Sequence, residues 1–177
     1  MIEELVKNDP DFNEGMFKSY IDNIFVKVYT ALMLDELETI RHFVSEELYR
    51  ELEDKLKKIK DQGLIQMYDE LNVKSSEIER VEITDKEFIV YVRLVTRYMD
   101  YMLDSESGNL VRGDNTRRIE VVKNLIFKKK RDYQEQGSIR RCPGCGASID
   151  VNDNGICSYC GTSYNLEKYN YILDKIN

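Results

Sequence analysis

The sequence predicts an α+β fold: N-terminal helices packed on a curved antiparallel sheet, followed by a small cysteine module. Three observations predict it. Apolar residues recur at steps of three and four before Gly63 and at steps of two after it. The two patterns are segregated along the chain rather than alternating, which favours helices on one face of a bent sheet. All four cysteines of the 177-residue chain fall between positions 142 and 160.

The elements follow in order. Asp9-Pro10 or Asp11 can cap the first long helix, with Glu14 as capping-box partner of Asp11. Phe17, Tyr20, Ile21, Ile24, Val28 and Leu32 then form one apolar stripe. A short helix is expected at Leu37–Phe43. Ser45 caps the next helix, with Glu46 and Glu47 at the positive end of its dipole. Leu48, Leu52, Leu56 and Ile59 are its inner stripe, and Glu51–Lys55, Glu53–Lys57 and Asp54–Lys58 its outer i,i+4 pairs. Gly63 ends it.

Strand alternation then runs through Leu71–Ile83, with a slip near Ser75-Ser76, and through Lys86–Leu103. Within the second stretch Phe88, Val90, Val92 and Leu94 share one parity, and Met99, Tyr101 and Leu103 the other. That switch predicts a bulge or sharp bend. Asp104–Asn115 reads as a polar loop, and Ile119, Val121, Leu125 and Phe127 as the buried face of the last strand. Arg131–Ser138 reads as a linker. Beyond the cysteines, Leu166, Tyr169, Ile172, Leu173 and Ile176 fit a short helix face or a docking strand over Tyr169–Ile172; the docking reading is preferred.

The formal net charge is −7, with isoelectric point near 4.9 and mean hydropathy −0.52. Such a chain does not coat nucleic-acid phosphates over a broad face. Residues 138–177 carry four cations and four carboxylates, so the whole −7 lies on residues 1–137. No apolar run approaches the roughly 20 residues of a membrane span. Met1–Pro10 lack the pattern of a secretory signal. The expected location is cytoplasmic, extending to peripheral attachment at the cytoplasmic face of a membrane; an upstream segment stays open.

The strongest motif is Cys142-Pro-Gly-Cys145-Gly, eleven residues, then Cys157-Ser-Tyr-Cys160-Gly. Two such turns place four soft ligands around one ion, and a closed shell of four cysteines leaves no open position for catalysis. The expectation is one structural Zn²⁺ in a short zinc ribbon. Disulfides, a redox dithiol and an iron site share the residue types. Arg140 and Arg141 can offset the extra negative charge of a zinc–thiolate centre.

Other candidates are weaker. Lys123, Lys128, Lys129, Lys130 and Arg131 are the one basic cluster of the acidic portion, read as a solvated strand end or as a contact for an anionic surface. Asp100 between Tyr98 and Tyr101 has the makings of a carboxylate base beside phenols, but a bland structural role is the main reading. His42 is read as structural, without a nucleophilic partner.

Asp9-Pro10-Asp11-Phe12, the stretch Phe25–Leu32, the phrase Ile40–Tyr49 and Tyr98-Met-Asp-Tyr101 resemble one family. It is the domain shared with the C-terminal half of the mitochondrial inner-membrane translocase subunit 44, in its bacterial relatives. The segment Tyr169–Ile176 is similar to that family's closing phrase, with Tyr171 where relatives often carry Trp. The resemblance implies a nuclear-transport-factor-2-like cone and a binding role rather than an enzyme. The mitochondrial member's role in import does not transfer.

The division this implies is a tail at 1–8, a cone at 9–131, a linker at 132–138, and a ribbon with docking segment at 139–177. The expected function is a non-catalytic scaffold binding a protein partner, peptide or lipid. A cone for a small apolar ligand with weak enzymatic activity, and a zinc-ribbon nucleic-acid accessory, are the alternatives. Oligomeric state is left open, a homodimer included.

Overall fold

The structure is a computed structural model that describes residues 1–131, 141–142, 144–148, 156–161 and 170–177. Helix α1 (Ile2–Asn8), helix α2 (Glu14–Leu34), a 3₁₀ helix (Leu37–Phe43) and helix α3 (Glu46–Asp61) come first. Strands β1 (Leu64–Ile83), β2 (Glu87–Asp104), β3 (Leu110–Gly113), β4 (Ile119–Lys130) and β5 (Ile172–Ile176) follow. They form one antiparallel sheet in the order β1-β2-β4-β5, with β3 pairing the end of β2. The α+β order read from the periodicity is the observed one.

The α2 stripe packs as its spacing requires. Phe17, Ile21, Ile24, Val28 and Leu32 are buried, and α2 lies on β1. Each such side chain contributes about 1.5–3 kcal/mol by leaving water. The cap is not Asp9 or Asp11 but Asn13, whose side chain accepts from the Met16 N–H at 2.9 Å. Asp9 is committed elsewhere, as described below. The stretch 1–8, read as a tail, is helix α1, and its Leu5 is fully buried in the core.

On β2, Phe88, Val90, Val92, Leu94, Thr96 and Tyr98 are buried, opposite Phe127 and Leu125 of β4 at the Val90 and Val92 pairs. The parity switch has its cause on the neighbouring strand. Asp69 pairs with Met99 and Asn72 with Arg97, so Glu70 and Leu71 of β1 stand opposite Tyr98 alone. Glu70 takes a left-handed φ of 53°. Two residues against one is a β-bulge, which bends the strand and sharpens the sheet's twist. A second register shift between Val73 and Ser75 falls where the slip was read.

The loop read over Asp104–Asn115 carries β3, held against β2 by a close approach at Gly113. A Cβ there would stand 2.3 Å from the Asp100 carbonyl oxygen and 2.7 Å from Tyr101 Cα, and φ is 83°. Gly113→Ala is therefore expected to destabilise the fold by about 1–3 kcal/mol, read as a lowered urea midpoint. Fast amide exchange over Leu110–Gly113 should accompany it.

Helix α3 is capped as expected: the Leu48 N–H bonds Ser45 Oγ at 3.2 Å. Its outer charges differ from the expected pattern. Lys57 pairs with Asp61 at 3.1 Å. Lys55 leaves Glu51 and turns inward, donating to the Tyr68 hydroxyl at 3.2 Å.

The C-terminal segment docks as a strand, shifted from Tyr169–Ile172 to Ile172–Ile176. It pairs with β4, bridges Val44, and its Leu173 carbonyl accepts the Ser45 N–H at 2.9 Å. Leu166, Tyr169 and the linker at 132–138 lie outside the described residues.

Candidate metal centre and C-terminal clip

The two cysteine turns are built alike. In the first, the Gly146 N–H bonds the Cys142 carbonyl at 2.9 Å; in the second, Gly161 bonds Cys157 at 2.9 Å. Both glycines take φ of 73°, where a side chain would strain the turn. The four Sγ atoms lie within 4.8 Å of one another. Cys142 and Cys160 are 3.6 Å apart, and Cys145 and Cys157 3.8 Å. A tetrahedral ion with bonds of about 2.3 Å to sulfur sets its ligands about 3.8 Å apart. The cysteines therefore fit one tetrahedral ion.

Backbone donors support that donor set. The Gly144 N–H reaches Cys142 Sγ at 3.3 Å. The N–H groups of Cys160 and Tyr159 hold the Cys157 thiol below its ordinary range. The Ala147 N–H acts the same way on Cys145, but hydrogen-bond sharing with Cys160 and the other sulfurs pushes that thiol up to about 11. Four crowded thiols oppose joint ionisation until a cation is present. Arg141 bridges Ser148 within the first turn; Arg140 lies outside the described residues.

The second feature was not legible as a site. Asp9 is 4% exposed and Lys129 8%, so both charges are nearly out of water. Lys129 Nζ donates to both Asp9 oxygens, at 2.8 and 2.9 Å. The Tyr171 hydroxyl donates to Asp9 Oδ2 at 2.8 Å. Burial, then the charge of Asp9, drives the Tyr171 phenol far above its ordinary range, so it remains a donor. Phe12 and Phe17 rings stand 5.8 and 5.0 Å from the Tyr171 ring. The Tyr20 hydroxyl donates to the Tyr171 carbonyl at 2.6 Å. This clip ties the start of the chain, β4 and the entry to β5.

It also divides the basic cluster. Strand pleat sends Lys129 inward with Leu125 and Phe127, while Lys128 and Lys130 face the other way. Lys128 pairs with Asp174 at 2.8 Å, and that hydrogen bond raises its ammonium above the ordinary range. Arg131 donates to the Thr84 carbonyl at 2.8 Å and lies 5.2 Å from the centre of the Phe88 ring. Lys123 is half-buried on the inner face, and Lys130 is exposed at the strand end. The five cations do not form one patch.

Asp100 stands directly across from Tyr68 and accepts from Gln66 Nε2 at 2.7 Å. Tyr98 is its neighbour on the inner face, but the Tyr101 hydroxyl bonds Asp69 instead. Tyr29 stacks near both Tyr68 and Tyr98, at 4.7 and 5.8 Å. His42 is half-buried on the 3₁₀ helix.

These features define an α+β protein whose helices cover one face of an open antiparallel sheet and whose four cysteines form a separate centre. The Tim44-like domain model matches residues 1–138, and the chain belongs to the Tim44-like domain family. The cysteines lie beyond that match. No curated protein matches the chain. Among solved structures, the intermembrane space region of the chloroplast protein ARC6 is similar at 13% identity and a TM-score of 0.42. That alignment covers 63% of this chain and 83% of that one.

Proposed function

We propose that this is a non-catalytic binding and scaffold protein whose Tim44-like portion holds a protein partner. Membership of the Tim44-like family across residues 1–138 carries the reading. Its division is a cone over 9–131 preceded by α1, a linker at 132–138, and a ribbon from 139 whose last strand returns to the sheet. Its location in this reading is the cytoplasm, extending to peripheral attachment at the cytoplasmic face of a membrane. Capture of the tagged full chain from its native cell, followed by reconstitution with the purified partner, should give a stoichiometric complex. Turnover of a small substrate with no stoichiometric partner overturns the reading.

Cys142, Cys145, Cys157 and Cys160 hold one structural Zn²⁺ in this proposal. The 3.6 and 3.8 Å sulfur separations support it. A closed shell of four thiolates supplies folding energy to the ribbon and offers no site for substrate. Metal analysis of the purified chain is expected to find about one zinc per chain. Iron in its place, or less than half an equivalent of zinc, contradicts the assignment.

A further inference from the structure

The helices cover one face of the sheet, and the other face carries an apolar patch at one end. At the start of β1, Leu64, Gln66 and Tyr68 are buried on the helix side. The pleat therefore turns Ile65, Met67 and Asp69 to the outer side. Register carries that outer face across three strands. Ile65 pairs with Leu103, and Leu103 with Leu110; Met67 pairs with Tyr101, and Asp69 with Met99. Ile65 is 39% exposed and Leu110 46%, while Leu103, Met67 and Met99 are half-buried. Tyr101 is buried beneath them, its hydroxyl donating to Asp69. The solvent side of an antiparallel sheet is ordinarily polar. An apolar row that crosses three strands there, with a polar rim, has the character of a contact surface.

The patch is fixed in place and its rim is negative. The Asp104 N–H bonds the Asn109 carbonyl at 2.9 Å, and Asp104 Oδ1 accepts the Ser107 N–H at 2.7 Å. The Ser105 N–H bonds the Gly63 carbonyl at 2.8 Å, which fastens this turn to the end of α3. A surface already held in one conformation loses little freedom on binding. Asp69, Asp104 and Glu106 stand around the patch, and none forms an ion pair among the described residues. The Ser107 backbone holds the Asp104 carboxyl below its usual range, so it stays ionised. Arg118 is committed to Glu70 and Lys74 to Glu120. The nearest cation along β2 on this face is Arg97, one row beyond Met99; Arg112 pairs with Met102 and belongs to the opposite face. Three carboxylates against one guanidinium favour a cationic partner.

We propose that this patch docks a basic amphipathic helix of a protein partner, its aliphatic side chains laid across Ile65, Leu103 and Leu110 and its cations against the carboxylate rim. Three strands about 4.8 Å apart make the row about 10 Å long. Residues i and i+7 of a helix are about 10.5 Å apart, so two helical turns span it. The inference rests on the scaffold reading and names the surface and the chemistry of that contact.

The probe is a synthetic leucine–lysine peptide of about 14 residues with leucines at steps of three and four. It is titrated into the full chain and followed by amide NMR. Controls are the same peptide with Glu for Lys, and one with Leu and Lys alternating at the strand period. Saturable shifts are expected at Ile65, Met67, Leu103 and Leu110, with the Glu peptide weaker by about tenfold or more. Leu110→Ser and Ile65→Ser should each weaken the lysine peptide about tenfold. Glu106→Lys should weaken it about threefold, an effect that shrinks with added salt. Val122→Ser, equally exposed on the same face but opposite Val95, should change nothing. No saturable shift, shifts spread over the α3 carboxylates instead, or equal binding of the Glu peptide overturns the proposal. So does preference for the alternating peptide, which marks strand addition, or patch shifts that grow with the protein's own concentration, which mark a second copy. With the captured partner, the two serine variants should weaken the complex by a similar factor. A stoichiometric complex that both leave intact sinks this inference and spares the scaffold reading. Absence of any stoichiometric partner sinks the scaffold reading itself.

Discussion

Lys129→Met is expected to destabilise the protein by about 3–5 kcal/mol, the cost of leaving a buried charge without its partner. Methionine keeps most of the stem's volume, so the loss reports the ammonium and not a cavity. Asp9 would retain only the Tyr171 hydroxyl as a donor among the contacts described. Against a total stability of about 5–15 kcal/mol, this is a large fraction. The urea midpoint should fall accordingly, and exchange over Ile172–Ile176 should speed up because Tyr171 loses its anchor. Asp9→Asn combined with Lys129→Met should recover most of the loss, since no unpaired charge remains. Lys57→Met is the control: its pair with Asp61 is exposed at both ends and is worth about 0.5 kcal/mol. If Lys129→Met costs no more than Lys57→Met, the clip is not what seals the sheet.

The clip also shows what could be read in advance and what could not. Asp9 sits beside Pro10 and Asp11, and local spacing makes that cluster look like a helix cap. Its real partners are 120 and 162 residues away, a separation no window of neighbours contains. Lys129 carried a usable signal. It follows Leu125 and Phe127 at steps of two, so the pleat alone turns it inward. The run Lys128–Arg131 hid this, because adjacency in sequence suggested one patch where a strand makes two faces. Periodicity succeeded where burial is one-sided: the α2 stripe, the Ser45 cap and the β2 parity were all legible. It gave less at β3, where Leu110–Gly113 is exposed throughout and held by backbone approach at Gly113. The cysteine centre was legible because its spacing is local. The inward turn of Lys55 to the Tyr68 hydroxyl was not, because on α3 it looked like half of a surface pair with Glu51.

Cys145→Ser, or a chelator, is expected to unfold the ribbon while β5 stays in the sheet. The ribbon has little to fall back on. Ile156 is 48% exposed and Tyr159 76%, so neither builds a core there. Metal binding worth about 10–16 kcal/mol is what folds such modules. The effect on β5 is a question of loop length. The sequence runs 39 residues between Arg131 and Tyr171, of which Cys142–Gly161 are 20, so unfolding the ribbon at most about doubles the chain to be closed. A doubling costs only about 0.6 kcal/mol in closure entropy. Against that stand the buried Leu173 side chain, at about 1.5–3 kcal/mol, the Tyr171 clip, and the paired bonds between Asn177 and Asn124 at 2.9 Å. Docking therefore survives loss of the metal. Hydrogen exchange read by mass spectrometry should show residues 142–161 exchanging at once on chelation and 172–176 unchanged. Exchange of β5 together with the ribbon would instead make the two one cooperative unit, with the metal holding the last strand in the sheet.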